Sequence, residues 1–350
     1  MVLPASWRAR EAFERVLTMA NTSGKATAVA HSNIALVKYW GKRDEARILP
    51  WQSSLSLTLA PLEVKTTVAF GAKEDAVQIN SREAKGKERA RVLALVELLR
   101  RDKPQLGFVQ VHSEGNFPAS AGLASSAAAF AALALALRSA AGLPKDVEAT
   151  SLLARQGSGS ACRSVQGGIC VWHRGQREDG ADSFARQHFA PQHWPALRMV
   201  AVILSREEKA TNSRDGMRSA VETSPYYSAW VASAEADIKP TLEAIAARDL
   251  ERLGALAEQN AWRMHATSFA ASPPLSYMKP STLAMLLALE EERRRGTPVW
   301  FTLDAGPNPV LLTQEAHLGK VLAFAEAFSP LETVVCHPGG DARLEEAHLF

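Results

Sequence analysis

Long apolar runs, clustered cysteines and an excess of charge of either sign are all missing from this 350-residue sequence. The longest apolar stretch, Ala127 to Leu137, is too short to cross a bilayer, and no apolar signal core follows the first charges, so no membrane partner is expected. Cys162, Cys170 and Cys336 have neither metal-ligand spacing nor the even count of a disulfide framework, which points to a reducing, cytoplasmic setting. Forty Lys plus Arg against 37 Asp plus Glu leave a net charge of +3, with the basic residues dispersed along the chain. That balance argues against a nucleic-acid partner, although two or three local cations suffice to hold a small anion. No low-complexity tract and no internal repeat are present, and 47% hydrophobic with 22% charged residues describe a folded globular chain.

The length exceeds what one ordinary core organises and suits two domains. The polar, irregular stretch Gly175 to Trp194 places their boundary, giving an extension over 1–25, a first domain over 26–194 and a second over 195–350. Within the extension, Trp7 to Met19 is an Arg-bearing amphipathic segment, read as a surface helix. Period-two patterns predict strands over Thr27 to Ala35, Ser53 to Leu59, Glu63 to Phe70, Ala76 to Asn80, Phe108 to His112 and Gly168 to Trp172. Helical spacing predicts Glu88 to Arg101 and an Ala-rich helix from Ala124 to Ala141, closed by Gly142 and Pro144, with a short helix before Gly157. The second half reads as a strand over Leu197 to Leu204, helices near 227–247, 250–266 and 280–295, strands over 299–302 and 310–313, a helix over 318–328 and a last strand over 333–336. Strands and helices mixed without strict alternation give an α+β class.

Small residues and hydroxyls gather in Pro118-Ala-Ser-Ala-Gly-Leu-Ala-Ser-Ser-Ala-Ala128, which leads straight into the Ala-rich helix. Unpaired N–H groups and the dipole at a helix start favour phosphate, and small side chains let it approach the backbone. Taken alone, the same residues also describe Ser125 and Ser126 capping a tightly packed helix. A second small-residue loop, Gln156-Gly-Ser-Gly-Ser-Ala-Cys-Arg-Ser164, adds the fork of Arg163 to the hydroxyls of Ser158 and Ser160. A third, Lys38-Tyr-Trp-Gly-Lys-Arg-Asp44, offers Lys38 and Lys42 as point charges walled by aromatics, while Arg43 and Asp44 read as a solvated face. The fourth, Phe301-Thr-Leu-Asp-Ala-Gly-Pro-Asn308, ends a strand on a carboxylate that could serve as a base; taken alone, its residues read rather as a plain turn.

In this order the segments "NIALVKYWGKRD", "SSLSLTL", "NFPASAGLASSAAA", "GSGSACRS", "SRDGMRSAVETSP", "HATS…PPLSYM" and "DAGPN" resemble the diphosphomevalonate decarboxylases of the GHMP kinase superfamily, from about Thr27 to about Ala342. The resemblance implies an N-terminal domain like ribosomal S5 domain 2, a ferredoxin-like C-terminal domain, and an active site in the cleft between them. It implies ATP and Mg²⁺, with the nucleotide phosphates held by Pro118, Ser120, Ala121, Gly122, Leu123, Ala124, Ser125 and Ser126, and Ser126 as a magnesium contact. It assigns Asp304 to orienting or deprotonating a tertiary hydroxyl, Arg163 to the substrate carboxylate, Lys38 to keeping Asp304 ionised, and Ser213 to the transferred phosphate. Tyr39, Trp40, Gly41, Lys42, Ser158, Gly159, Ser160, Ala161, Cys162 and Arg214 would hold the substrate, chiefly its diphosphate, and Arg82 would be a further contact. A homodimer is also implied.

Departures from the family pattern fall at Ala30-His-Ser-Asn33, Pro50-Trp-Gln-Ser-Ser54, Ser81 and His337-Pro-Gly-Gly340, and none removes a proposed catalytic group. Joint retention of Asp304, Lys38 and Arg163 favours decarboxylation over simple kinase action, because a kinase has no need to grip the carboxylate. A relative acting on a mevalonate monophosphate or bisphosphate, or a mevalonate 3-kinase, is the nearest alternative. A non-catalytic RNA-binding protein on a related fold is the more distant one.

Overall fold

The computed structural model describes residues 24–117, 125–207 and 209–350. The expected surface helix of the extension, and Pro118 to Ala124 of the phosphate loop, lie outside the described residues.

The first half is built on two long strands. β1 (Lys25–Val37) runs antiparallel to β4 (Ser54–Ala72), with the short β2 (Lys42–Asp44) and β3 (Leu49–Pro50) pairing in the loop between them. The two strands predicted over 53–59 and 63–70 are thus one 19-residue strand. The sequence reads as two because the β1 register slips at His31/Ser32, leaving Ala60, Pro61 and Leu62 as a bulge that interrupts the alternation. β5 (Ala76–Ile79), β6 (Arg82–Glu83) and β7 (Phe108–Gly115) extend the sheet, and α1 (Gly86–Asp102) covers it through Val92, Leu95, Val96 and Leu99.

α2 (Ser125–Ala140) packs against β1 and β4, and its seven buried alanines let the backbones come close. α3 (Val147–Gly157) starts on Asp146, whose carboxylate accepts from Ala149 N at 3.0 Å, and leads into a 3-10 turn over Gly159–Ser164. β8 (Ile169–Trp172) returns beside β4, and β9 (Ala185–Phe189), which the irregular reading of 175–194 missed, pairs with β8.

β10 (Leu197–Ile203) opens the second half and is followed by four helices: α4 (Ser213–Thr223), α5 (Tyr227–Ala247), α6 (Leu250–Phe269) and α7 (Pro280–Arg294). Then come β11 (Trp300–Thr302), β12 (Val310–Gln314), α8 (Leu318–Glu326) and β13 (Glu332–Pro338). Their order β11-β12-β10-β13, all antiparallel, is the ferredoxin-like arrangement. The sheet does not stop at the predicted boundary. His337 and Pro338 of β13 pair with Ala60 and Leu59 at the β4 bulge, and β14 (Arg343–Glu345), which was not predicted, pairs with β1. The two halves therefore share one sheet, and loops from both meet above it. Among the described residues no helix is long and apolar enough to cross a membrane.

Candidate active site

β1 delivers Lys38 to the centre of the molecule. Its side chain is 2% exposed and its ammonium donates to Asp304 Oδ1 at 2.5 Å, across 266 residues of sequence. Thr302 brings the partner there, donating from Oγ1 to Ala35 O at 3.0 Å and so fastening the end of β11 to β1. Burial lowers the Lys38 pKa, and Asp304, the larger of the opposing influences, acts to restore it. The Lys38 backbone is held too: its N–H donates to Asn260 Oδ1 at 2.8 Å, Asn260 donates to Asp237, and Arg263 closes the chain on Asp237. Asn260 and Asp237 are buried members of α6 and α5, so the second half positions a residue of the first.

Arg163, 3% exposed, sits in a seat of neutral acceptors. Nη1 donates to Ser54 Oγ at 2.6 Å, Nε to Ser56 Oγ at 2.9 Å, and Nη2 to Asn33 Oδ1 at 3.1 Å. Asn33 is turned that way because its own Nδ2 donates to Ser164 Oγ at 2.6 Å and Ser160 O at 3.1 Å. No carboxylate forms an ion pair with Arg163 among the described residues. Burial lowers its pKa, and the Asp304 charge is among the influences that hold it up. A desolvated guanidinium without a counter-ion is costly, and an incoming carboxylate relieves that cost.

The aromatic wall expected from the Lys38–Asp44 loop is present. Tyr39 tilts on Trp172 with ring centroids 4.7 Å apart, and its hydroxyl is buried without a hydrogen-bond partner. Gly159 lies against both rings, where a Cβ would come within 2.9 Å of each. Trp40 meets Tyr277 edge-on at 5.9 Å, and its carbonyl accepts from Tyr227 Oη at 2.9 Å. Gly41 is required here: its φ is +99°, and a Cβ would strike that same tyrosine hydroxyl. Lys42 is engaged by Glu45 at 2.5 Å. Ala161 and Cys162 are fully buried, and the Cys162 thiol, pushed up to about 12 by burial, donates to Gly159 O.

The phosphate side of the cleft is formed by the start of α2 and the end of α3. Ser126 Oγ lies 3.3 Å from Ser158 Oγ, joining the two small-residue loops. Beside them Arg214 and Arg91 both donate to Gly157 O, at 3.2 and 3.0 Å. Arg91 also lies over the Phe130 ring at 4.6 Å, and burial, aided by Arg214, brings its pKa down to about 10. Two guanidinium groups on one carbonyl are set for an anion. A cavity of about 350 Å³ opens next to them, with Ser125, Ser126, Val77, Ile79 and Phe130 among its lining. Hydroxyls at a helix start and an apolar wall have the chemistry to hold a nucleotide with its magnesium, Ser125 and Ser126 being the described hydroxyls that line this cavity.

Ser213 opens α4 behind the cap Asn212, whose Oδ1 accepts from Arg214 N and Asp215 N. Arg82 is not brought to this cluster. It is exposed on β6 and forms a bidentate pair with Glu88 at 2.8 Å. Arg91, on α1, is not among the residues expected from the sequence. Nor is Lys209, which feels the Asp304 charge and whose ammonium is lowered by loss of hydration, although its surface stays accessible. A third omission is His265, wholly buried behind Asp304: its Nε2 meets Leu303 O at 3.2 Å, its Nδ1 has no partner, and burial followed by the Lys38 charge lowers its pKa to about 4. The ring is therefore neutral, with Nε2–H donating. Asn308 of the same turn is structural, accepting from Leu204 N and Ser205 N and donating to Ser205 O.

Residues 30–185 match the family model of the diphosphomevalonate decarboxylase-like N-terminal domain, and residues 199–344 match the mevalonate 5-diphosphate decarboxylase C-terminal domain. The chain belongs to the diphosphomevalonate decarboxylase family. It is 38% identical over 320 residues to the diphosphomevalonate decarboxylase of Eremothecium gossypii, covering 86% of this chain and 81% of that one. With the Homo sapiens enzyme it shares 38% identity over 317 residues, covering 85% and 78%. A solved complex of MDDEF with MVAPP, AMPPCP and magnesium superposes at a TM-score of 0.87 with 39% identity, covering 93% of this chain and 99% of that one. The two-domain GHMP kinase architecture is thus common to this chain and the family's solved members.

Proposed function

We propose that this protein is an ATP-dependent decarboxylase converting mevalonate diphosphate to isopentenyl diphosphate, with ADP, phosphate and carbon dioxide as the other products. The observation that carries the reading is the 2.5 Å Lys38–Asp304 pair beside a buried Arg163 that has only neutral partners.

The tertiary hydroxyl lies at Asp304, whose carboxylate orients it and accepts its proton as it attacks the γ-phosphorus of ATP. Lys38 holds that carboxylate in place and ionised. The 3-phosphate then departs with its C–O electron pair, and the C–C bond to the carboxylate breaks to supply the alkene electrons, releasing carbon dioxide. Arg163 keeps the carboxylate aligned for that step, and the buried aromatics Tyr39 and Trp40 keep water from the cationic carbon. Ser158, Ser160, Lys42, Arg214 and Arg91 take the diphosphate, and Ser213 with Lys209 stands near the phosphate in transit. Magnesium, bound with the nucleotide, neutralises phosphate charge.

A diphosphate is favoured over a monophosphate because Arg214 and Arg91 converge on one carbonyl and neither forms an ion pair among the described residues. The domain boundary near residue 194, a homodimer, a cytoplasmic setting and small-molecule rather than nucleic-acid partners complete the reading. Asp304→Asn tests it. Turnover is expected to fall about 10²- to 10⁴-fold while the affinity for an ATP analogue stays within about twofold; turnover near that of the native protein would remove Asp304 from its role.

A further inference from the structure

On the far side of α3 from the active site lies a second cavity, of about 430 Å³, between the end of α1, the end of α2 and residues 179–181. Half-buried Leu98, Leu152 and Leu153 contribute an apolar floor. Three cations line it, Lys103, Arg138 and Arg155, and none has an ion-pair partner among the described residues. Each rests on main-chain carbonyls instead: Lys103 on Ala141 O at 3.1 Å, Arg138 on Pro144 O at 3.1 Å, and Arg155 on Gly180 O at 2.8 Å and on Ser183 O. Arg155 is only 2% exposed, yet its Nε and that of Arg138 are buried without a hydrogen-bond partner. Of the carboxylates at the rim, Asp179 is taken by Arg177, which leaves Asp102 at the exposed end of α1.

A buried guanidinium lacking both a counter-ion and a full set of acceptors is expensive to maintain, and such sites are found where an anion binds. We propose that this cavity is a binding site for a small amphiphilic anion, a phosphate or carboxylate head on Arg138, Lys103 and Arg155 with a short alkyl chain over the leucines. The site is coupled to the substrate loop. Arg155 is on the last turn of α3, two residues before Gly157, and Ser158 N bonds back to Ala154 O. Ser183, whose carbonyl Arg155 holds, accepts from Trp172 Nε1 at 3.0 Å, and Trp172 packs on Tyr39. The coupling rests on the proposed function; binding itself does not.

Calorimetric titration of the full chain with n-hexyl phosphate, hexanoate, inorganic phosphate and 1-hexanol tests the site, with the active site empty and then filled with mevalonate diphosphate and AMPPCP. We expect hexyl phosphate or hexanoate to bind in both states, the better of the two identifying the head group, and phosphate and hexanol to bind at least tenfold more weakly. Arg138→Ala and Lys103→Gln should each weaken binding about tenfold, the usual loss for a charge-assisted contact, with basal turnover unchanged. Occupancy should change KM for mevalonate diphosphate in the native chain and not in Arg138→Ala. Absence of binding, loss of binding when the active site is filled, or indifference to both substitutions would overturn the site; binding with KM unmoved would overturn the coupling.

Discussion

Arg163 shows how a single residue can be readied for one step. Each of its three nitrogens donates to a hydroxyl or amide oxygen that carries no net charge, so its positive charge, and further N–H groups of its fork, stay available. A lysine would keep the charge and lose the fork that reaches Ser54, Ser56 and Asn33 together. Arg163→Lys is therefore expected to lower kcat/KM for mevalonate diphosphate about 10- to 100-fold, measured as carbon dioxide release. Lys38 and Arg163 were legible as cations in their loops and Asp304 only through the family resemblance, and the structure places the three side by side. The seat was not. Ser54, Ser56 and Asn33 stand on strands where serine and asparagine read as unremarkable alternation, and only the register of β1 against β4 turns them to one point. Arg82 stands in a conspicuous turn, whereas Arg91, four residues before the buried Leu95 on α1, reads as the flank of a packing face.

Elements set the distances between these residues. The chain leaving β11 presents Asp304 at a fixed point because Thr302 is tied to β1 on one side and Leu303 is tied to His265 of α6 on the other. His265 touches neither substrate nor reacting atoms, so it is a positioning residue. Loss of its Nε2 donor should let the Asp304 turn drift. His265→Leu is expected to reduce kcat about tenfold with KM for both substrates within twofold, and His265→Gln, whose amide N–H can reach the same carbonyl, to restore most of it. Steady-state kinetics on both variants distinguish this from a general packing defect, which the glutamine would not repair. Elements with a strong apolar period, such as α1, α2 and β10, were readable from sequence. α4 was not, because its eleven residues bury only Gly216, Met217 and Ala220, with Val221 half-buried, and otherwise present polar side chains. β14 escaped for the same reason, being an exposed edge strand of three residues.

At the scale of the whole molecule, the two halves are joined by one sheet and by a buried polar network, and their stability depends on pH through the groups kept neutral. His265 has a pKa lowered to about 4, against about 6.5 when unfolded. Its contribution is present above pH 6.5 and is lost as pH falls towards 4, because only the unfolded chain takes up the proton in that window. The difference corresponds to roughly 3 kcal/mol for a fully buried group. His31, His173 and His188 are also lowered by burial and add in the same direction. Urea midpoints should therefore fall between pH 7 and pH 4.5, and His265→Gln should flatten that slope. A slope unchanged by the substitution would show that His265 is not held neutral.

The two-domain α+β plan could be anticipated because strands and helices alternate irregularly over a chain of this length. That His337, Pro338 and Arg343–Glu345 return to the first half could not, since nothing local in a short strand names its partner.

Nucleotide hydrolysis alone would leave the role of Arg163 unsupported, so the decisive quantity is the ratio of carbon dioxide released to ADP formed when the protein turns over mevalonate diphosphate with Mg-ATP. The Lys38–Asp304 pair and the waiting guanidinium together predict a ratio of about one, because phosphorylation and carboxylate loss are steps of one cycle. ADP formed with no carbon dioxide, and a 3-phosphorylated product accumulating instead, would contradict the account.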